Sequence, residues 1–206
     1  MNKPPHFTMI RGFHLADWFT LGNAFCGMAA VLAVMSGLTD GTTRGLLIAS
    51  VLIPLALVFD ILDGRIARWR HQQSSLGREL DSLADVISFG VAPAAMAYGA
   101  GMRSGWDVAV LLYFVACGVS RLARYNVSAA ALAGEGEKVT YFEGTPIPSS
   151  VLLVALLGFA AWQNRVGEAL YFGSVTFGPA TLHPLVVLFA ISGSLMISKT
   201  IRIPKL

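Results

Sequence analysis

Long apolar runs, separated by short polar stretches, make up almost the whole chain. Apolar runs of about 18 residues or more predict membrane spans, because about 20 helical residues cross roughly 30 Å of hydrocarbon. We therefore predict an all-α integral membrane protein with six transmembrane helices in a single domain, residues 1–206. The predicted spans are 15–37, 46–66, 82–101, 106–127, 146–163 and 184–201.

Composition and charge support this prediction and orient the chain. Of the 206 residues, 55% are hydrophobic and 13% are charged, whereas soluble domains carry roughly a quarter charged residues. With six spans, every Lys and Arg except Arg44, Arg103 and Arg165 falls on the side that holds both termini. Since Lys and Arg in short loops favour the cytoplasmic side, we expect both termini to be cytoplasmic in a cell membrane. The net charge of +3 favours anionic membrane lipids and does not indicate nucleic acid binding.

Two acidic stripes interrupt the apolar pattern where the second predicted span ends and the third begins. Asp60 and Asp63 are three residues apart and Asp81 and Asp85 are four apart, so each pair lies on one face of a helix. A short loop joins the two helices and makes them antiparallel neighbours. We therefore expect the four carboxylates to face one another near the cytoplasmic surface.

A cluster of ionised carboxylates needs positive charge, because the groups repel one another in a medium of low dielectric. Arginines can supply it, but hard divalent cations such as Mg²⁺ or Mn²⁺ prefer oxygen-only clusters. Two such ions suit a site that clamps a diphosphate. Gly64 and Gly77 leave room for a nucleotide or phosphate beside the backbone, and Arg68 and Ser74 can donate hydrogen bonds to it. Taken singly, each aspartate is equally well explained as a solvated helix end.

These residues form a pattern that resembles the signature of the CDP-alcohol phosphatidyltransferases: Asp60-x2-Asp63-Gly64-x2-Ala67-Arg68-x8-Gly77-x3-Asp81-x3-Asp85. The resemblance implies a membrane enzyme with six transmembrane helices, usually a homodimer. Such an enzyme transfers a phosphatidyl group from a CDP-linked lipid to an alcohol and releases CMP. The resemblance also implies that Asp85 is the catalytic base. It further implies that two divalent cations, Mg²⁺ or Mn²⁺, bind Asp60, Asp63, Asp81 and Asp85, and that CDP contacts Gly64, Arg68, Ser74 and Gly77.

Four other segments indicate the alcohol. "DSLADVISFGVAPA", "SRLARYNV", "FEGTPIPSS" and "TLGNAFCGMAA" resemble the phosphatidylserine synthase branch of the family, which implies CDP-diacylglycerol and serine as substrates. Arg121, Arg124 and Asn126 are candidates for binding the charged groups of serine. For the two arginines, anchoring at the cytoplasmic interface is the alternative. Asn23, in the first predicted span, is expected to make a hydrogen bond between helices.

Other functions are compatible with parts of this pattern. The same chemistry can use another acceptor, although glycerol phosphate or inositol phosphate favours a denser cationic pocket than this sequence offers. An ether-linked lipid donor of the archaeal type is also compatible with transfer to serine. A transporter can carry carboxylates within its spans, but usually at mid-depth and beside broken helices, whereas these acids cluster at one end of two adjacent spans.

Overall fold

The computed structural model describes residues 14–70, 75–135, 141–178, 180–198 and 202–204. Helices dominate this part of the chain. The long helical stretches are α1 (Leu15–Asp40), α2 (Arg44–Trp69), α3 (Ser75–Asp85), α4 (Ala92–Ala100) and α5 (Gly105–Glu135), and a π-helical turn, Val86–Val91, joins α3 to α4. Helices α6 (Val151–Trp162) and α7 (Val187–Ile197) follow, each preceded by a short 3-10 helix, Ile147–Ser150 and Pro184–Val186.

Short strands accompany the helices, and the all-α prediction did not include them. Strand β1 (Tyr141–Glu143) pairs antiparallel with β4 (Arg202–Pro204). Strand β2 (Val175–Phe177) pairs antiparallel with β3 (Ala180–Leu182). Each strand has only three residues, so the described chain remains mostly helical.

Four helical stretches are long and apolar enough to cross a membrane: Leu15–Asp40, Arg44–Trp69, Leu76–Ala100 and Gly105–Ser128. The predicted fifth and sixth spans correspond to shorter apolar helices, Ile147–Trp162 and Pro184–Ile197. At a rise of 1.5 Å per residue these helices are about 24 and 21 Å long, less than the roughly 30 Å of a hydrocarbon core. The described residues thus contain four candidate spans, and the prediction of six is not confirmed.

A tight turn folds α1 and α2 into an antiparallel hairpin. Gly41 ends α1 in the left-handed conformation, with φ of 64°, and its N–H donates to the Gly37 carbonyl. Glycine adopts this conformation without the steric cost that a Cβ imposes. The two helices then form the most extensive helix contact in the described fold, which brings the start of α1 beside the end of α2.

The third span lies at the centre of the helical bundle. Within its most apolar window 56% of the residues are buried, compared with 28–33% in the other three spans. Helix α1 packs against α3, the π-helical turn and α4 in succession. On the other side, α5 packs against α7, where the rings of Phe114 and Phe189 meet edge to face at 5.2 Å. Residues of α3 are therefore held between α1 and α5.

A buried Asp–His pair secures the start of α5. Asp107 is fully buried and lies 2.7 Å from Nδ1 of His183, whose backbone N–H also donates to it at 2.9 Å. The N–H of Ser104 donates to the same carboxylate at 3.1 Å. Asp107 precedes Arg121 by about 21 Å along the helix axis, so this pair belongs to the opposite end of the bundle from the aspartate signature.

Candidate active site

Carboxylates from two helices meet where α2 approaches its end and α3 begins. Asp60 and Asp63 lie in the C-terminal part of α2, and Asp81 lies in α3. One ligand atom from each of the three lies within 4.8 Å of the others. Asp63 is buried, while Asp60 and Asp81 are partly exposed. The two acidic stripes therefore face each other, as the helical spacing predicts.

Asp85 lies one turn beyond Asp81, and the close group of three does not include it. Its side chain is only 7% exposed and accepts a hydrogen bond of 3.1 Å from Nδ2 of Asn23. It also interacts electrostatically with Asp60 and Asp81. Asp85 is thus buried to about the same extent as Asp63 and more than Asp60 and Asp81.

The close group of carboxylates has no cationic side chain paired with it in the part of the chain that the structure describes. Among those residues, the ion pair within 4.0 Å is the one that joins Asp107 to His183. Oδ1 of Asp81 is buried and has no hydrogen-bond partner among the described residues. Burying an unpaired polar oxygen is costly, and hard divalent cations prefer oxygen-only ligands. Asp60, Asp63 and Asp81 therefore fit a divalent cation.

Helix α1 brings two polar side chains to these carboxylates. Oγ1 of Thr20 donates to Oδ2 of Asp63 at 2.8 Å, and the Asn23 amide donates to Asp85. The expected interhelical hydrogen bond of Asn23 is confirmed, whereas Thr20 was not singled out from the sequence. A signal was present, because Thr20, Asn23 and Gly27 recur at helical spacing on one face of α1.

A close backbone contact holds α1 against the π-helical turn that follows Asp85. A Cβ atom at Gly27 would lie 2.3 Å from Oγ and 2.7 Å from Cα of Ser88. Oγ of Ser88 donates to the backbone carbonyl of Asn23 at 2.9 Å. Single π-helical turns within α-helices occur frequently at functional sites. Here the turn begins directly after Asp85 and is fixed to the same helix that contacts this carboxylate.

Three of the four candidate CDP contacts fall within the described residues. Gly64 borders open space, since an added Cβ would meet no described atom within 4 Å apart from the adjacent residues and backbone of its own helix. Arg68 is exposed in the last turn of α2, and Gly77 lies in the first turn of α3. Ser74 lies outside the described residues. The C-terminal part of α2 therefore presents an open glycine and an exposed arginine.

The C-terminal half of α5 passes beside α3. Arg121 interacts electrostatically with Asp85, and its Nε is buried without a hydrogen-bond partner among the described residues. Asn126 and Ser82 of α3 form hydrogen bonds of 3.0 and 3.2 Å. Arg124 is exposed. Of the three candidate acceptor contacts, Arg121 is therefore the one with an electrostatic interaction with Asp85, while Asn126 connects α5 to α3.

Comparison with known proteins identifies a matching family. A family model described as CDP-alcohol phosphatidyltransferase matches residues 13–191. This range includes all the described aspartates, glycines and arginines considered above, and it extends over α1 to the middle of α7. The match therefore covers most of the chain as well as its acidic segment.

Three relatives illustrate the similarity to individual proteins. A CDP-diacylglycerol–serine O-phosphatidyltransferase of Saccharomyces cerevisiae is 40% identical over 208 residues, covering 97% of this chain and 74% of that protein. A protein of the same name from Mycobacterium bovis is 42% identical over 135 residues, covering 63% of this chain and 44% of that protein. An archaetidylserine synthase of Methanothermobacter thermautotrophicus is 37% identical over 158 residues, covering 75% of this chain and 62% of that protein. The chain thus spans about three quarters of the yeast relative and less than half of the mycobacterial one.

Proposed function

We propose that this chain, which belongs to the CDP-alcohol phosphatidyltransferase family, transfers a phosphatidyl group from CDP-diacylglycerol to L-serine. The products are phosphatidylserine and CMP. The names of the yeast and mycobacterial relatives support the choice of substrates. The observation that carries the chemistry is the group of carboxylates from two helices whose ligand atoms lie within 4.8 Å of one another.

Two divalent cations, Mg²⁺ or Mn²⁺, are the cofactors in this proposal, and Asp60, Asp63, Asp81 and Asp85 hold them. The family depends on divalent cations. The buried Oδ1 of Asp81, which has no hydrogen-bond partner within the described part of the chain, supports a ligand at this point. When bound, the cations neutralise charge on the diphosphate of the donor and on departing CMP. The chain itself binds and orients the two substrates and deprotonates the serine hydroxyl.

The CDP group of the donor lies against Gly64, Arg68, Ser74 and Gly77 in this proposal. The open space beside Gly64 lets a phosphate approach the α2 backbone closely. The guanidinium of Arg68 presents a planar set of donors suited to phosphate oxygens. Because Arg68 is exposed at the end of the span, the nucleotide can stay in water while the acyl chains stay in lipid.

The reaction is a single displacement at the phosphorus that bears diacylglycerol. Asp85 accepts the proton of the serine hydroxyl, and the hydroxyl oxygen forms a bond to that phosphorus. The bond from the same phosphorus to the bridging oxygen of the diphosphate breaks, and CMP leaves with that oxygen. Burial of Asp85 and its hydrogen bond from Asn23 support this role, because a fixed base needs little reorganisation as the reaction proceeds.

Recognition of serine needs a cation for its carboxylate, and Arg121 is the best placed candidate. Its Nε is buried without a partner among the described residues, and Asp85 is the acid with which it interacts. A guanidinium binds a carboxylate through two parallel hydrogen bonds. We assign Asn126 and Arg124 lesser parts, since Asn126 already bonds to Ser82 and Arg124 is exposed.

The membrane arrangement completes the proposal. The two shorter apolar helices, Ile147–Trp162 and Pro184–Ile197, serve as fifth and sixth spans across a locally thinned bilayer. Both termini and the carboxylates then face the cytoplasm at a cell membrane, in contact with membrane lipids. The active protein is a homodimer of this single domain.

One relative favours a second candidate function. The archaetidylserine synthase of Methanothermobacter thermautotrophicus supports an ether-linked donor with the same acceptor. A carboxylate-lined transporter has no comparable support, because the family to which the chain belongs is one of phosphatidyltransferases.

Lipid analysis of a defined reaction tests the proposed function. Purified chain is given Mg²⁺ and CDP-diacylglycerol with serine, glycerol phosphate or inositol phosphate, and an ether-linked donor is tested with serine in parallel. We expect phosphatidylserine and an equal amount of CMP in the serine reaction. Preferential formation of another lipid would contradict the acceptor, and the absence of any metal-dependent CMP release would contradict the chemistry.

A further inference from the structure

We propose that α1 is a positioning helix for this active site, in which Thr20 orients the metal-facing carboxylate of Asp63 and Asn23 orients the base Asp85. The inference rests on the proposed function for the role of Asp85, while the role of Thr20 concerns cation binding alone. The family signature lies entirely on α2 and α3. Helix α1 carries none of it, yet it contacts both halves of the acidic segment.

The hydrogen bonds to the two aspartates are buried within the protein. Thr20 is 4% exposed and Asn23 is fully buried, and their donors lie 2.8 Å from Asp63 Oδ2 and 3.1 Å from Asp85 Oδ1. The two donors are three residues apart on one helical face. A single rigid helix therefore fixes carboxylates that belong to two different helices.

The Asn23 amide is oriented so that it donates to Asp85 through Nδ2, and its own carbonyl oxygen, Oδ1, is buried and left without a partner among the described residues. Leaving a buried carbonyl oxygen unpaired is unfavourable, so the bond to Asp85 decides how the amide is turned. Ser88 holds the Asn23 backbone from the π-helical turn, and Gly27 allows that turn to approach α1 closely.

The two bonds should have separable consequences. Asp63 belongs to the close group of three carboxylates, so loss of the Thr20 hydroxyl should weaken cation binding. Asp85 lies outside that group, so loss of the Asn23 amide should slow turnover and leave the affinity for the cation held by Asp60, Asp63 and Asp81 nearly unchanged. Groups that orient metal ligands typically contribute 10- to 100-fold in metal affinity or activity.

Titration with Mn²⁺ alone tests the role of Thr20. The purified chain in detergent is titrated with Mn²⁺, and free ion is measured by electron paramagnetic resonance. We expect Thr20→Val to weaken binding by about 10- to 100-fold and Thr20→Ser, which keeps the hydroxyl, to restore it. Thr39→Val is the matched control. The hydroxyl of Thr39, like that of Thr20, donates to the backbone carbonyl four residues earlier, but Thr39 lies on an exposed part of α1. Unchanged affinity in Thr20→Val, or an equal loss in Thr39→Val, would overturn the assignment.

Steady-state kinetics test the role of Asn23. Asn23→Ala and Asn23→Leu differ in how they pack but share the loss of the amide donor, so an effect common to both reports on the donor. We expect kcat to fall by about 10- to 100-fold, with the melting temperature and Mn²⁺ affinity retained in at least one of them. Wild-type kcat in either variant, or a fall in Mn²⁺ affinity equal to that of Thr20→Val, would contradict the division of roles. A further outcome separates this inference from the proposed function. If Thr20→Val weakened Mn²⁺ binding as expected but the wild-type chain made no phosphatidylserine, the proposed acceptor would be wrong and the positioning role of Thr20 would stand.

Discussion

Replacing Asp85 with asparagine separates substrate binding from turnover. Asparagine has nearly the same shape as aspartate, and its side-chain oxygen can still accept the 3.1 Å hydrogen bond from Asn23. The close group formed by Asp60, Asp63 and Asp81 is untouched, since its ligand atoms meet without Asp85. We therefore expect Asp85→Asn to fold, to keep Mn²⁺ bound at this close group and to bind CDP-diacylglycerol.

The same substitution removes the atom that takes the proton from serine. Positioned general bases typically accelerate reactions by about 10²- to 10⁴-fold. At 1.36 kcal/mol for each factor of ten, the barrier should rise by about 2.7–5.4 kcal/mol. The deep burial of Asp85 supports an effect within this range, because water has poor access to replace the missing base.

The assay measures kcat for CMP release at saturating serine, together with KM for CDP-diacylglycerol. Asp40→Asn is the matched control, because Asp40 is exposed at the far end of α1 and accepts a hydrogen bond from Ser36 on the same helix. Asp85→Asn should lose turnover with KM for the donor changed by less than about tenfold, or 1.4 kcal/mol. Turnover near that of Asp40→Asn would refute the assignment of Asp85 as the base.

Further predictions address the acceptor, the helix packing and the cofactor. Arg121→Ala should raise KM for serine by about 10- to 100-fold, since a hydrogen bond to a charged group contributes about 1.5–3 kcal/mol; an unchanged KM for serine, with Arg44→Ala as control, would count against it. Gly27→Ala should lower the melting temperature, because its Cβ would meet Ser88 at 2.3 Å and such overpacking costs about 1–3 kcal/mol. Gly64→Ala should leave the melting temperature intact, because its surroundings are open, while weakening CDP binding; equal melting temperatures in both glycine variants would contradict this comparison. Chelation by EDTA should abolish CMP release and added Mg²⁺ or Mn²⁺ should restore it, whereas persistent activity after exhaustive chelation would exclude the proposed cofactors.

Local sequence pattern predicted the helices and the convergence of the acidic stripes, because both follow from short-range spacing. Asp60 and Asp63 share a helical face whatever surrounds them, and a short loop returns the chain to Asp81. The start of α3 was predicted less well. The helix begins at Ser75, whereas the predicted span begins at 82, because the first turns of α3 are polar and amphipathic and do not count toward an apolar run.

Contacts between distant segments could not be predicted in the same way. Thr20 reaches Asp63 across 43 positions in sequence. The helical spacing of Thr20, Asn23 and Gly27 marks a shared face of α1, but it does not identify which residues that face contacts. The pair of Asp107 and His183 is separated by 76 positions and was missed for the same reason. Apolar composition also failed to set the length of the last helix, which ends at Ile197 although the predicted span extends to 201.

Anomalous diffraction from crystals of active protein soaked in Mn²⁺ tests the central claim most directly. If opposed carboxylates of α2 and α3 form a divalent-cation site, Mn²⁺ peaks should lie between Asp60, Asp63 and Asp81 at coordination distances of about 2–2.6 Å, and they should disappear in Asp81→Asn. Crystals of active wild-type protein that show no Mn²⁺ peak at these carboxylates would contradict the account.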